Sequence, residues 1–141
     1  MSEDDRPTGV DQTPGAALEA AYEAIGDAVH LTKGRPLGPG SGEGWQYPSD
    51  VYLCVGELTD IAAGLTQLIG QLSGALAEQY RAGHLSIEPE DAWAGNPRGA
   101  LTAAFDAFET AARHANLMGT ALAAAHSIAG AAEYTATPQK P

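Results

Sequence analysis

VYLCVGELTDIAAGLTQLIGQLSGAL, residues Val51 to Leu76, is the stretch that decides the fold. Its regularly spaced apolar residues are Val51, Val55, Leu58, Ala62, Leu65, Ile69, Leu72 and Leu76. The steps alternate between four and three without a break, the spacing of a packing helix with a 3.5-residue repeat. With Val51 labelled d in the heptad, d holds Val51, Leu58, Leu65 and Leu72, while a holds Val55, Ala62, Ile69 and Leu76. The g flank (Cys54, Ile61, Leu68, Ala75) is apolar as well, and the e flank carries Tyr52, Thr59, Thr66 and Ser73. Only c and f are clearly polar, with Glu57, Asp60, Gln67, Gln71 and Glu78. A face this wide calls for two or more neighbouring helices.

Glycine sharpens that requirement. Gly56, Gly64, Gly70 and Gly74 all fall inside the expected helix, and each costs about 1 kcal/mol relative to alanine. A large side chain at a or d returns roughly 1.5–3 kcal/mol when fully buried. The helix is therefore stable only when packed. Gly56 and Gly70 share the b position with Ala63 and Ala77, small residues that let another helix lie close on that side. Gly64 and Gly74 lie on the polar face and have no such reason.

Outward from this rod, Ser49 or Asp50 supplies an expected N-cap and Gly83 a stop after about Ala82. Leu85 and Ile87 alternate with polar neighbours and are expected to fold over the end of a hairpin. Pro89 to Trp93 reads as a single helical turn with an acidic start. Asn96-Pro97 then opens a second long helix. Its expected seam is Leu101, Ala104, Phe108, Ala111, Ala115, Met118, Leu122, Ala125, Ala129 and Ala132. Alanine fills nearly every second place, a flat stripe that allows helix axes near the lower end of the 8–10 Å range. Glu109 and Arg113 form an i,i+4 pair worth a few tenths of a kcal/mol.

Toward the N-terminus, Thr13-Pro14 reads as an N-cap followed by proline at the first helical position. Leu18, Tyr22, Ile25 and Val29 share one face of that helix, which is expected to end at Lys33-Gly34. The organisation that follows is an acidic, disordered tail over 1–12, a first helix over 13–34, a Gly/Pro linker over 35–48, a helical hairpin over 49–134 and a loose tail over 135–141. Trp45 and Tyr47 pin the linker's end, and Trp45 is also a candidate partner anchor, as is Trp93. The fold class is all-α: a short N-terminal helix packed on a long antiparallel two-helix hairpin, resembling a three-helix bundle.

Composition narrows function mainly by exclusion. The 141 residues carry a net charge of −11, which opposes binding to nucleic-acid phosphates and to anionic lipid. The longest uncharged stretches, 61–77 and 114–132, carry His, Asn, Gln, Thr and Ser, so neither is expected to span a membrane. No signal peptide is read at the start, and the one cysteine, Cys54, cannot form an internal disulfide. A cytoplasmic location follows, with secretion without a cleaved signal peptide as the alternative.

No catalytic constellation emerges. The glycines of 38–44 have Glu43 among them, no strand before them and no Gly-Lys-Ser/Thr run after them, so they read as a hinge and not a phosphate cradle. His114 and His126 lie twelve residues apart on one helix, about 120° round it, and cannot share a metal. His30 and His84 add no ligand spacing. Cys54, on the apolar flank, reads as a buried inert thiol. No cofactor is expected and no enzyme activity is assigned.

Two resemblances can be placed on these residues. The helix bearing Tyr52, Gly56-Glu57-Leu58, Ala63-Gly64-Leu65 and Leu72 is joined through Gly83-His84-Leu85 to the alanine-rich helix Leu101–Ala132. Together they resemble small Ala/Gly-rich helical-hairpin proteins of high-GC actinobacteria, a resemblance that implies no activity. Trp93-Ala94-Gly95, between two long helices, is similar to the secreted Trp-x-Gly helical hairpins exported by specialised bacterial secretion systems. That resemblance implies dimers and a C-terminal Tyr-x-x-x-Asp/Glu export signal. Here Tyr134 is followed four residues on by Pro138, and the first helix and long turn also depart from the pattern.

The expected function is a non-catalytic helical interaction or assembly protein whose partner is a protein, with itself, as a homodimer, first in line. A secreted Trp-x-Gly hairpin is the alternative and a small-ligand-binding helical module the third reading. Leu58, Ile61, Leu65, Leu68, Ile69, Leu72, Phe108, Met118 and Leu122 are the residues expected to carry packing or interface.

Overall fold

The computed structural model describes residues 13–33 and 47–132. The acidic tail, most of the linker with Trp45, and the C-terminal tail with Tyr134 lie outside the described residues. The fold is all-α, with helices α1 (Pro14–Leu31), α2 (Pro48–Arg81) and α3 (Pro97–Ala129). Two units are present, one containing α1 and the other α2 and α3.

Within α1, Thr13 caps as the sequence suggests: its Oγ1 accepts from the Ala16 N–H at 3.2 Å, and Pro14 opens the helix. The C-terminus comes earlier than expected, at Leu31, before Lys33. Thr32 draws the chain off the helix there, its Oγ1 donating to the Ala28 carbonyl at 2.9 Å. No residue of α1 is buried.

α2 begins at Pro48, ahead of the expected caps Ser49 and Asp50, with Asp50 inside its first turn. Its end follows expectation. Gly83, at φ +76°, takes the left-handed conformation. The Gly83 N–H donates to the Tyr80 carbonyl and the His84 N–H to the Gln79 carbonyl, both at 3.0 Å. These two bonds form a Schellman cap, which satisfies orphan carbonyls and reverses the chain. Leu85 and Ile87 are half-buried. The expected helical turn from Pro89 is instead a run of tight turns, Asp91 N–H to Glu88 O and Ala94 N–H to Asp91 O, at 3.1 and 3.0 Å. The Asp91 carboxylate explains it by accepting from the Trp93 N–H at 2.8 Å, a local bond that competes with helix. Asn96 then caps α3, its side-chain oxygen accepting from the Gly99 N–H at 3.0 Å.

α2 and α3 pack antiparallel on each other: Tyr52 and Gly56 lie against the far end of α3 at Gly130 and His126, Ala62 lies by Gly119, and Ile69 shares a groove with Phe105. The seam is not the one expected. On α2 it keeps Val55, Ala62, Ile69 and Leu76, but replaces the leucines with Thr59, Thr66 and Ser73, so a pairs with e rather than with d. On α3 the inward set is Leu101, Phe105, Phe108, Ala112, Ala115, Gly119, Leu122, His126 and Ala129, while Ala111, Met118 and Ala125 are exposed.

The physical reason is close approach. Around Ala62, Ala115 and Gly119, small residues on both sides let the axes come together, whereas leucines at those places would hold them apart. A methyl group placed on Gly119 would stand 3.5 Å from the Ala62 Cβ, and one on Gly56 only 3.1 Å from His126 Nε2. Gly56 thus has the packing reason expected of it. Gly70 does not, because a methyl group there would meet nothing within 4 Å.

The glycines give opposed predictions. Gly64 is helical and exposed, with open space around it, so Gly64→Ala should stabilise by roughly 0.5–1 kcal/mol. Gly83→Ala should destabilise by about 1–2 kcal/mol, the cost of a left-handed alanine. Urea midpoints should move in opposite directions.

Candidate interaction face

Turning a and e inward leaves d and g turned outward. Val51, Leu58, Ile61, Leu65 and Leu72 are 36–44% exposed, an unusual state for large aliphatic side chains recurring on one helix face. Leu68 is half-buried. With Cys54 these residues again alternate by three and four, so α2 carries an apolar seam beside the one that α3 covers. Leu58, Leu65 and Leu72 were expected in the main packing seam and instead stand beside it. Of the other candidates, Ile69, Phe108 and Leu122 are half-buried in the α2–α3 contact, while Met118 is 43% exposed.

Helix geometry assigns the two sides of the hairpin. The positions of α3 that turn the same way as the leucines are Ala104, Ala111, Met118 and Ala125, each three residues beyond a seam residue. The opposite side is lined by Ala63, Thr66, Gly70 and Ser73 of α2 and by Glu109, Asn116, Thr120 and Ala123 of α3. Together the two helices make one side broad and apolar, a leucine ridge beside an alanine flat. The other side is narrow and studded with hydroxyls.

That second side holds two open grooves of about 260 and 300 Å³. The hydroxyls of the first groove already donate to their own helices: Thr59 to the Val55 carbonyl at 2.8 Å, Thr66 to Ala62 and Thr120 to Asn116 at 3.1 Å. Their donors are spent within the fold, and nothing encloses a ligand. Enclosed, mostly apolar clefts are the usual small-molecule sites.

Cys54 is exposed, contrary to the expectation of a buried thiol. The correction has the same origin as the leucines': Cys54 sits at g, and g faces outward once the seam rotates. The His126 ring lies in the seam, at a position that the expected stripe of α3 left out. It stacks on Tyr52 with centroids 4.0 Å apart and 18° between planes, over the gap left by Gly56. His114 is exposed on the other flank of α3. Among the described residues no three His, Cys, Asp or Glu side chains gather where they could hold a metal ion. Trp93 is 43% exposed in the turn that ends at Gly95, itself at φ +79°. The anticipated Glu109–Arg113 pair forms at 3.7 Å on the surface. No helix among the described residues is long and apolar enough to cross a membrane.

No protein-family model, curated protein or solved structure matches this chain. The apolar side of the hairpin must therefore be interpreted from its own chemistry. Its rotation was missed because periodicity alone offers three overlapping seams on α2. The signal that could have chosen among them is side-chain size: the small stripe of α2 matches the small stripe of α3.

This division makes Ala62 and Leu58 respond differently. Ala62 is fully buried against α3, so Ala62→Leu should cost about 1–3 kcal/mol by overpacking. Leu58→Ala, outside the seam, should cost the single chain well under the ~2–5 kcal/mol typical of a core leucine. Denaturant titration of dilute chain distinguishes the two.

Proposed function

We propose that this chain is a non-catalytic interaction protein whose hairpin docks a protein partner on its leucine face. One observation carries the reading: large aliphatic side chains, heptad-spaced over Val51–Leu72, remain exposed after α2 and α3 have packed. Monomeric soluble proteins rarely leave contiguous apolar patches beyond a few hundred Å² uncovered, and larger ones mark interaction sites. A nucleic-acid partner is disfavoured by the net charge of −11. A small-ligand role is disfavoured by the openness of both grooves and by the engaged hydroxyls of the first. One lone thiol is in keeping with work in the reducing cytoplasm.

A second reading is supported by the turn between the long helices. Trp93-Ala94-Gly95 sits there with Trp93 partly exposed and Gly95 left-handed. This arrangement favours the secreted Trp-x-Gly hairpin, which would use the same face for pairing.

Cys54 is a built-in reporter, because it lies on the face and is exposed. In dilute full-length chain it should react with a maleimide at the rate of a free surface thiol, and be protected once a partner is seated. Slow labelling even in the most dilute sample would mean the face is covered within the chain, and the docking reading would be wrong.

A further inference from the structure

We infer that the occupant of the leucine face is a second copy of this chain, the two hairpins closing into a four-helix bundle with the α2 ridge of each over the α3 flat of the other. The inference rests on the docking reading above and adds the partner and its orientation.

The first argument is area. From Val51 to Leu72 the ridge runs along ~32 Å of helix. Two helices side by side, 8–10 Å apart and ~10 Å thick, make a face roughly 20 Å wide. The footprint is on the order of 600 Å² per copy, so pairing would bury about 1,200 Å² in total. That reaches the lower bound of standard stable interfaces.

The second argument is charge. A chain at −11 repels its own copies, so self-association needs a face without carboxylates. The d and g positions of α2 from Val51 to Ala75 carry no ionisable side chain except the Cys54 thiol. On α3, Ala104, Ala111, Met118 and Ala125 carry none. Glu57 and Glu78, at c, stand exposed at the rim beyond g, and Asp60, at f, turns away from this face.

The third argument is shape. Leucine against leucine and alanine against alanine would leave one half of the contact overfilled and the other void. A two-fold axis parallel to the helices instead sets each ridge over the partner's flat. Every layer then contains large and small side chains in alternation, as close packing requires. All neighbouring helices run antiparallel.

The orientation makes a specific prediction. Cys54 on the outer flank of α2 lies level with the end of α3, since Gly56 lies against His126 and Tyr52 against Gly130. In the pair, Cys54 of one copy approaches Ile128 on the outer flank of α3 of the other; Ile128 is 75% exposed in the single chain. Within one chain these two positions sit on opposite flanks of the face, more than a helix spacing apart, too far for a disulfide.

The test uses the full chain and its Ile128→Cys variant under mild oxidation, with light scattering from about 1 to about 100 μM, the range over which micromolar interfaces form. Wild type is expected to move from one-chain to two-chain mass. The variant should give a covalent dimer that disappears on adding Cys54→Ser. Leu58→Lys with Leu65→Lys should hold the chain at one-chain mass. A two-chain mass without the cross-link would overturn the orientation, and a dimer surviving the lysines would overturn the face. One-chain mass at the highest concentration, with Cys54 freely labelled, would overturn the second copy while leaving a docking face for another protein. The same mass with Cys54 protected would end both readings.

Discussion

Close contact between small residues at the middle of the α2–α3 seam is the constraint on which the hairpin depends. Helix α2 carries adjacent apolar stripes, and a single antiparallel neighbour covers only about one. The stripe that wins is the one that brings the backbones nearest: Gly56, Thr59, Ala62 and Thr66 against Ala115, Gly119 and His126. Three residues, Ala62, Leu101 and Ala115, are the only buried ones among those described. Two of them are alanines, so the contact draws its strength from many short-range approaches rather than from a few large buried groups. Any side chain that widens the gap at Ala62 weakens the contact on both sides of it.

That constraint also explains what the amino-acid sequence made legible. Local chemistry was readable where one residue suffices: Thr13 before Pro14, the glycine stop at Gly83, Asn96 before Pro97. The existence and pairing of two long helices followed from unbroken 3.5-residue spacing. Rotation about the α2 axis was not readable in the same way, because a, d, e and g all satisfy that spacing. Choosing among them requires the size of the facing side chains, which is a property of the pair. The misplacement of Cys54 and of Leu58, Leu65 and Leu72 follows from this one ambiguity. Gly70 was misjudged separately: it shares a heptad position with Gly56 but lacks a side chain like His126 to fill the space above it.

The Tyr52–His126 stack shows how the seam tolerates large rings near its open end. Both rings lie at one end of the hairpin, where Gly56 and Gly130 remove the methyl groups that would block them. A methyl group on Gly130 would stand 3.0 Å from Tyr52 Cε2. The glycines are thus counterparts of the rings, not merely weak points in the helices. They widen the range of side chains the seam accepts without moving the axes apart.

Polarity gives the hairpin a direction of association. Glu57, Asp60 and Glu78 lie at c and f of α2, outside the d and g positions of the leucines, and the small-residue side has hydroxyls and Glu109 along its grooves. Only one side can lose water at low cost, since burying the others would strand carboxylates. In the proposed pair each copy uses that side once, against the same side of its partner. Such an isologous contact closes on itself. A chain with apolar stripes on two opposite sides would have grown into fibres, so gathering Leu58, Leu65, Leu68 and Leu72 on one side of α2 matters as much as exposing them.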